Sequence, residues 1–508
     1  MDPLFRRAVL AGKKFVEPYG ALFFLDLAVL LLYAGLTLFL VLHHEIWRDE
    51  ALIWLIARDA SLKQIIVDIA RTEIHPRMWY LMLVPFAKTG LPVVSMQVLH
   101  WFLAVMAAGL FILRAPFPRI VRYLFILSYF MFFEYAVIAR SYVLGVLFLF
   151  LVAVLYRTRF SNPIRYLIVL ALFFHTEITV FTLAGTLFLL FLFEMTRQRR
   201  WTPPLVAVSF LPALSGGAYF LQILSFSSGT SACQSSPGDL GFSNILRAVG
   251  HSFFVRFQHV SSELAIVLGV VFLLLFLSLM ISRPKMVFLF LGGVSGLCYM
   301  FLTQYSGYLR HQGFLFLIVL FVWWIRAHDP VVPLRGWVAD IHARWTREGE
   351  KIFLVLLVFV LCLSCSQTFD AASLEAKGLF SGGKAAAGLI RSLQEKYPQF
   401  DVLVISSEPV GASVVAHFPR QGFWSADLGR MITYWPGSER KICGFLEPEE
   451  VIRRAKGHFG QISRLIFVFE KPLAFSAFEG HVFREVFRVD RGIWGTGRES
   501  YYAYIAIK

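Results

Sequence analysis

The sequence predicts a polytopic α-helical membrane protein with a small α/β domain at its carboxyl end. Three observations carry that expectation. First, the 508 residues are 57% hydrophobic and only 16% charged, where soluble domains carry about 25% charged residues. Second, apolar runs of spanning length recur up to residue 369, punctuated by arginine clusters, and a run of roughly 20 apolar residues is what a bilayer core requires. Third, from residue 370 onward short helical and strand patterns alternate in an ordinary soluble composition, the signature of an α/β layer. The net charge of +15 belongs to cytoplasmic loops of such a protein rather than to nucleic-acid binding. Five cysteines are too few for a disulfide scaffold.

Taken in order, Arg6, Arg7, Lys13 and Lys14 precede the first span, Ala21 to Leu42, which places the amino terminus in the cytoplasm. That run is too long for a cleaved leader and no small-residue cleavage pattern follows it. The stretch His43-His44-Glu45-Ile46-Trp47-Arg48-Asp49-Glu50-Ala51 then faces outward. Ser61 and Gln64 form a capping-box pattern, and Leu62, Ile65, Ile66, Ile69 and Ala70 recur at helical spacing, so this segment lies in the interface. A second surface helix starts at Pro76. Spans then alternate: Ser95–Leu113, Tyr123–Ala139, Tyr142–Tyr156, a hairpin over Tyr166–Glu194, Leu205–Leu224, Leu264–Ile281, Met286–Tyr305, Gly313–Ile325 and Ile352–Phe369. The hairpin follows from Arg165 at one end and Arg197, Arg199 and Arg200 at the other, because two basic clusters belong on one side of the membrane. Its apex is His175-Thr176-Glu177. The sum is about eleven transmembrane helices plus interfacial helices in the first outer loop. Residues 1–369 form the membrane domain and 370–508 an extracytoplasmic α/β domain, with a helix over Ala385–Tyr397, strands over Val402–Ser406, Leu465–Phe469 and Tyr501–Ile507, and a helix over Pro448–Phe459. Gly378 to Ala385 approaches a phosphate-binding loop, but Ala385 has no hydroxyl for a metal and no strand precedes it; a linker is the better reading.

Ionisable residues at membrane depth are costly and usually face a cavity or each other. Here they gather at outward ends: Asp49 and Glu50, His75, Glu134 with Arg140, His175 with Glu177, and Arg310 with His311. Asp49 and Glu50 are adjacent and point about 100° apart on a helix, so one can enter a cavity while the other caps; both capping is the plainer reading. Glu134 and Arg140 form either an internal ion pair or, through Arg140, a phosphate contact. His175 and Glu177 are a polar apex, an acceptor contact or ligands for a divalent metal ion, the last resting on a weak pattern. Arg310 and His311 anchor the outer leaflet or recognise a lipid phosphate. Cys233 and Cys443 both lie outside and are candidates to pair; Cys298, Cys362 and Cys365 fall in spans and read as packing residues.

The order of apolar span, Trp47-Arg48-Asp49-Glu50-Ala51, and then His75-Pro76 with the aromatic pair Trp79-Tyr80 resembles the glycosyltransferases of the C-type membrane fold, including protein O-mannosyltransferase and aminoarabinose-transferase relatives. The stretch Tyr135-Ala-Val-Ile-Ala-Arg140-Ser-Tyr142-Val-Leu-Gly145 is similar to what they carry after the third span. The likeness covers residues 21 to about 200 and the later spans in layout alone. It departs at Arg77, where a second proline would stand. The resemblance implies transfer of a sugar from a polyprenyl-phosphate carrier at the outer face of a bacterial inner membrane, with Asp49 as base, Arg140 near the site and Arg310 at the carrier phosphate. The acceptor would be a lipid, polysaccharide or protein. Displacement with a single base predicts inversion at the anomeric carbon. The alternative is a transporter or flippase for a lipid-linked sugar, using the same charges as a path.

Overall fold

Apolar residues on every face make the first helix, α1 (Ala21–His43), a lipid-facing rod: Phe24, Leu31, Leu32 and Phe39 are exposed around it. The computed structural model describes residues 21–69, 74–229, 241–255, 261–303, 307–332, 337–378, 380–406, 408–420, 422–436, 446–493 and 497–507. Cys233 and Cys443, and the basic residues ahead of α1, lie outside these.

The first outer segment differs from its expected form. α2 (Arg48–Asp59) takes in Asp49 and Glu50 in its first turn and is mostly buried, with Ile53, Trp54, Leu55 and Ile56 inside the protein. Ser61 and Gln64 do cap reciprocally, Ser61 N–H to Gln64 Oε1 at 2.8 Å and Gln64 N–H to Ser61 Oγ at 3.2 Å. The segment they cap is helical from Leu62 to Ile69, as expected, with a wide turn over Gln64–Asp68, and Ala70 lies outside the described residues. α3 (Met78–Lys88) follows Pro76 and packs on α2.

α4 (Val94–Arg114) is a full span, but the segment expected as one span over Tyr123–Ala139 is broken. α5 (Arg119–Leu127) stops where Ser128 turns extended, and a wide turn over Phe130–Glu134 carries the chain on. The Ser128 hydroxyl donates to the Phe125 carbonyl at 2.6 Å, a side-chain bond that competes with helix continuation. α6 (Tyr142–Tyr156) and α7 (Pro163–Phe173) are short, and α7 turns at His175-Thr176-Glu177 into α8 (Phe181–Arg197), the expected hairpin. α9 (Pro203–Gly229) follows, then α10 (Phe242–Phe253) between the expected spans Leu205–Leu224 and Leu264–Ile281, then α11 (Ser262–Met280), α12 (Pro284–Thr303) and α13 (Leu309–Ile325). α13 is buried from Arg310 to Ile325, which makes it the axis of the bundle. α14 (Trp337–Ala376) is continuous for 40 residues, so the expected last span over Ile352–Phe369 is the inner part of a longer helix. Among the described residues eight helices are long and apolar enough to cross a membrane, and α6 and α7 are shorter apolar helices.

The carboxyl-terminal domain is a mixed sheet with three helices, α15 (Gly383–Lys396), α16 (Glu408–Val415) and α17 (Pro448–Phe459). Strands β1 (Val402–Ile405), β2 (Phe423–Ser425), β3 (Arg430–Ile432), β4 (Leu465–Phe469), β5 (Ala477–Phe478), β6 (His481–Ile493) and β7 (Gly497–Ile507) lie in the order β3-β2-β1-β4-β7-β6-β5. β1 is parallel to β2 and β4, and every other pairing is antiparallel. β1 and β4 read as continuous apolar runs because both faces are covered. The Gly378-to-Ala385 segment opens α15. A Cβ on Gly383 would stand 2.7 Å from Ser413 Cβ, so that glycine lets α15 approach α16 closely.

Candidate functional site

One end of the bundle gathers the first turn of α2, the loop between the Phe130–Glu134 turn and α6, and the first turn of α13. These three segments are separated by long stretches of chain. Arg140 Nη1 lies 2.9 Å from Asp49 Oδ2, and Arg310 Nη2 lies 3.4 Å from the same oxygen. Both arginine side chains are under one-tenth exposed, whereas that of Asp49 is 28% exposed. The carboxylate is therefore the accessible member of a buried cationic pair. Burial disfavours its charge, but Arg140 and Arg310 outweigh this and hold Asp49 below the usual carboxylate range.

Glu50 does a different job. Its Oε1 accepts the Ala139 N–H at 2.5 Å, and its Oε2 accepts the Trp47 N–H at 3.2 Å and lies 2.9 Å from His44 Nε2. It caps α2 and fixes the backbone beside Arg140. On the far side of His44, Nδ1 lies 3.1 Å from Glu375 Oε1 near the end of α14, an ion-pair separation without hydrogen-bond alignment. Neither Glu50 nor Glu375 reaches solvent.

Aromatic groups wall the cluster. The Arg310 guanidinium stands 5.0 Å from the Trp47 ring and 4.7 Å from the Tyr308 ring, and Arg140 is 5.8 Å from Tyr142, distances at which a ring face attracts a cation. Tyr142 Oη is 2.9 Å from His311 Nε2, while His311 Nδ1 takes the Tyr308 N–H at 3.2 Å. Tyr135 Oη donates to the Arg310 carbonyl at 2.7 Å. A Cβ on Gly313 would stand 2.5 Å from Tyr135 Oη and from Phe130, so only glycine lets α13 approach this loop.

The remaining expected residues separate into two groups. His75 Nδ1 is 3.3 Å from Glu177 Oε1, whose other oxygen takes the Ser141 hydroxyl, and the His75 ring meets Tyr142 edge-on at 6.4 Å. These join the Asp49 cluster. His175 does not: its ring packs 5.9 Å from Tyr219 on α9, away from Glu177 as a paired ligand. Among the described residues no group of three or more His, Cys, Asp or Glu could hold a metal ion. Glu134 accepts from Tyr129 Oη at 2.7 Å, and Arg140 pairs with Asp49 instead of with it.

No family model, curated protein or solved structure matches the chain.

Sequence reasoning did not single out His44, Glu375, Ser141 or Tyr135. Ser141 and Tyr135 flank Arg140 in the quoted stretch, so a reading of neighbours would have found them. Glu375 had no such signal, because it lies beyond the last span and meets His44 only through folding. The carboxyl-terminal domain was also assigned no part here, yet it grips α2 at both ends. Glu499 Oε1 accepts the Arg48 N–H at 3.2 Å, capping the helix that carries Asp49. At the other end Arg58 Nη1 donates to the Phe418 carbonyl at 2.9 Å, and Arg420 Nη2 donates to the Arg58 carbonyl at 3.1 Å. Burial pushes the Glu499 carboxyl up to about 7, against hydrogen bonds from Ser381 and the Arg48 backbone that favour its charge.

Proposed function

We propose that the chain is an integral-membrane inverting glycosyltransferase that moves a sugar from a polyprenyl-phosphate donor to a hydroxyl acceptor at the extracytoplasmic face. In this reading about eleven segments cross a bacterial inner membrane, with the amino terminus cytoplasmic and the carboxyl-terminal domain outside. The supporting observation is the accessible Asp49 carboxylate held between Arg140 and Arg310. Arg48, 3.6 Å from Asp49 Oδ1, joins Arg140 and Arg310, and with Glu177 beside them three guanidiniums face two carboxylates, 3 − 2 = +1, an excess that suits a phosphate.

The chemistry follows from that imbalance. A donor phosphate competes for Arg140 and Arg310 and frees Asp49 from the pairing that weakens it as a base. Asp49 takes the proton of the acceptor hydroxyl, whose oxygen forms a bond to the anomeric carbon from the face opposite the phosphate. The bond from that carbon to the phosphate oxygen breaks, and its electron pair leaves with the lipid phosphate, where the two arginines stabilise the growing charge. One displacement inverts the configuration. His75, Glu177, Ser141 and Tyr142 line the approach to Arg140, while Glu50 and His44 position its loop.

The test is transfer from a synthetic polyprenyl-phosphate sugar in proteoliposomes. Asp49→Asn should abolish transfer while expression and folding persist. Full transfer by that variant removes Asp49 as the base. Movement of carrier lipid across the bilayer without acceptor, undiminished in Asp49→Asn, would point to the transporter reading instead.

A further inference from the structure

A groove of about 850 Å³ lies at the opposite ends of the spans, between the end of α8, the start of α12 and the segment Asp329–Val332. It is far from Asp49, since α13 runs 17 residues between the two levels, roughly 25 Å of helix. Leu189, Phe193 and Phe288 form its walls and are themselves exposed at the surface of the bundle, where a membrane protein meets hydrocarbon. Its floor is charged. Glu194, buried, takes Arg159 Nε at 2.9 Å and Nη2 at 3.0 Å and Lys285 Nζ at 2.6 Å. Lys285 Nζ also lies 3.3 Å from Asp329 Oδ1, and Arg197 stands exposed on the rim.

We propose that this groove is a binding site for a glycerophospholipid of the adjoining leaflet, with its phosphate on Arg197 and Lys285 and an acyl chain along Phe193 and Phe288. The volume falls within the ligand-pocket range of about 300–1,000 Å³. Apolar walls alone give no preference inside a bilayer, because lipid tails are as apolar as the walls; the charges supply it. Arg159, Arg197 and Lys285 against Glu194 and Asp329 leave 3 − 2 = +1, the complement of a phosphodiester. An ammonium has three N–H donors, and on Lys285 one goes to Glu194 while Asp329 stands at ion-pair distance, which leaves donor capacity for a phosphate oxygen. The inference does not rest on the proposed sugar transfer.

Native mass spectrometry of the full chain, delipidated in detergent and titrated with palmitoyl-oleoyl phosphatidylglycerol or palmitoyl-oleoyl glycerol, decides it. The phosphate-bearing lipid should bind at one per chain and the phosphate-free one weakly. Arg197→Ala, at an exposed position, should lower the bound fraction about fivefold, and Phe288→Trp should narrow the path of the acyl chain and lower it further. Equal retention of the two lipids, or retention unchanged in Arg197→Ala, overturns the proposal. So does loss of the lipid in Arg310→Ala but not in Arg197→Ala, which would place the phosphate at the other end. If Phe288→Trp fails to fold, a map of the wild-type chain in phosphatidylglycerol nanodiscs gives the second answer: lipid density along Phe193 and Phe288 supports the site, and a groove without it counts against it.

Discussion

At one end of the bundle a single carboxylate, Asp49, faces Arg140 and Arg310; at the other, Glu194 and Asp329 face Arg159 and Lys285. The first cluster is unbalanced and its carboxylate is part-exposed, while the second is balanced and Glu194 is shut away from solvent. Buried ions must be compensated. The four ions of the second network spend their interactions on holding helices together, and only Arg197 on its rim keeps capacity for a ligand, whereas at the first end the guanidiniums that pair with Asp49 are themselves the excess charge. The difference separates a structural ion pair from a chemical site when both are made of the same residue types.

Substitutions at the two ends should therefore fail in different ways. Asp49→Asn carries the largest expected effect, a loss of about 10²–10⁴ in transfer rate from removal of a general base, with a smaller fall in melting temperature than at the buried Glu194, because Asp49 is part-exposed. A large drop in stability instead would make Asp49 a structural partner and erase the contrast. Next, Glu194→Gln leaves buried Arg159 without its carboxylate and should cost about 3–5 kcal/mol of stability, read as a lower melting temperature in detergent, while the KM for donor stays put. A selective change in donor KM would bring the two ends into one mechanism. Third, Arg310→Lys keeps the charge but loses the planar fork, and transfer should fall about a hundredfold, chiefly through weaker use of the lipid donor.

The smallest effect concerns the grip on α2. Glu499 titrates at about 7 in the folded chain, above an ordinary carboxylate. Between the ordinary value and 7 the folded state binds more protons than the unfolded one, so stability is greatest below that window and declines as pH rises through it. Glu499→Gln should flatten this decline, measured as melting temperature from pH 4.5 to 7.5. An unchanged slope would assign it to another group. Asp49 has the opposite sign: held low by its arginines, it stabilises at neutral pH, and that contribution is lost only as pH falls below the usual carboxylate range.

Much of the architecture was legible because the bilayer imposes a simple rule on the chain. The apolar runs at α1, α4, α11 and α12 needed only length and composition, and the hairpin at His175 needed only the basic clusters on either side of it. α5 was misread because Ser128 and the wide turn after it break the helix without a proline or glycine to announce it. β6 went unseen because its alternation is largely charged, Arg484, Glu485, Arg488 and Asp490, and its partner β7 supplies the pairing that makes it a strand. Within the site, the residues could be named from their places at the ends of apolar runs. Their pairing could not, as His175 and Glu177 show by turning to different neighbours.

The amino-acid sequence by itself determined that this is a membrane-embedded helical chain with a sheet domain behind it, because hydropathy and periodicity are properties of short segments. Tertiary structure alone decided that Asp49 meets Arg140 and Arg310, that Glu50 turns inward to cap, and that Glu499 caps the same helix from a different domain. Ion pairs between residues that far apart depend on how helices are placed, and no local pattern encodes that.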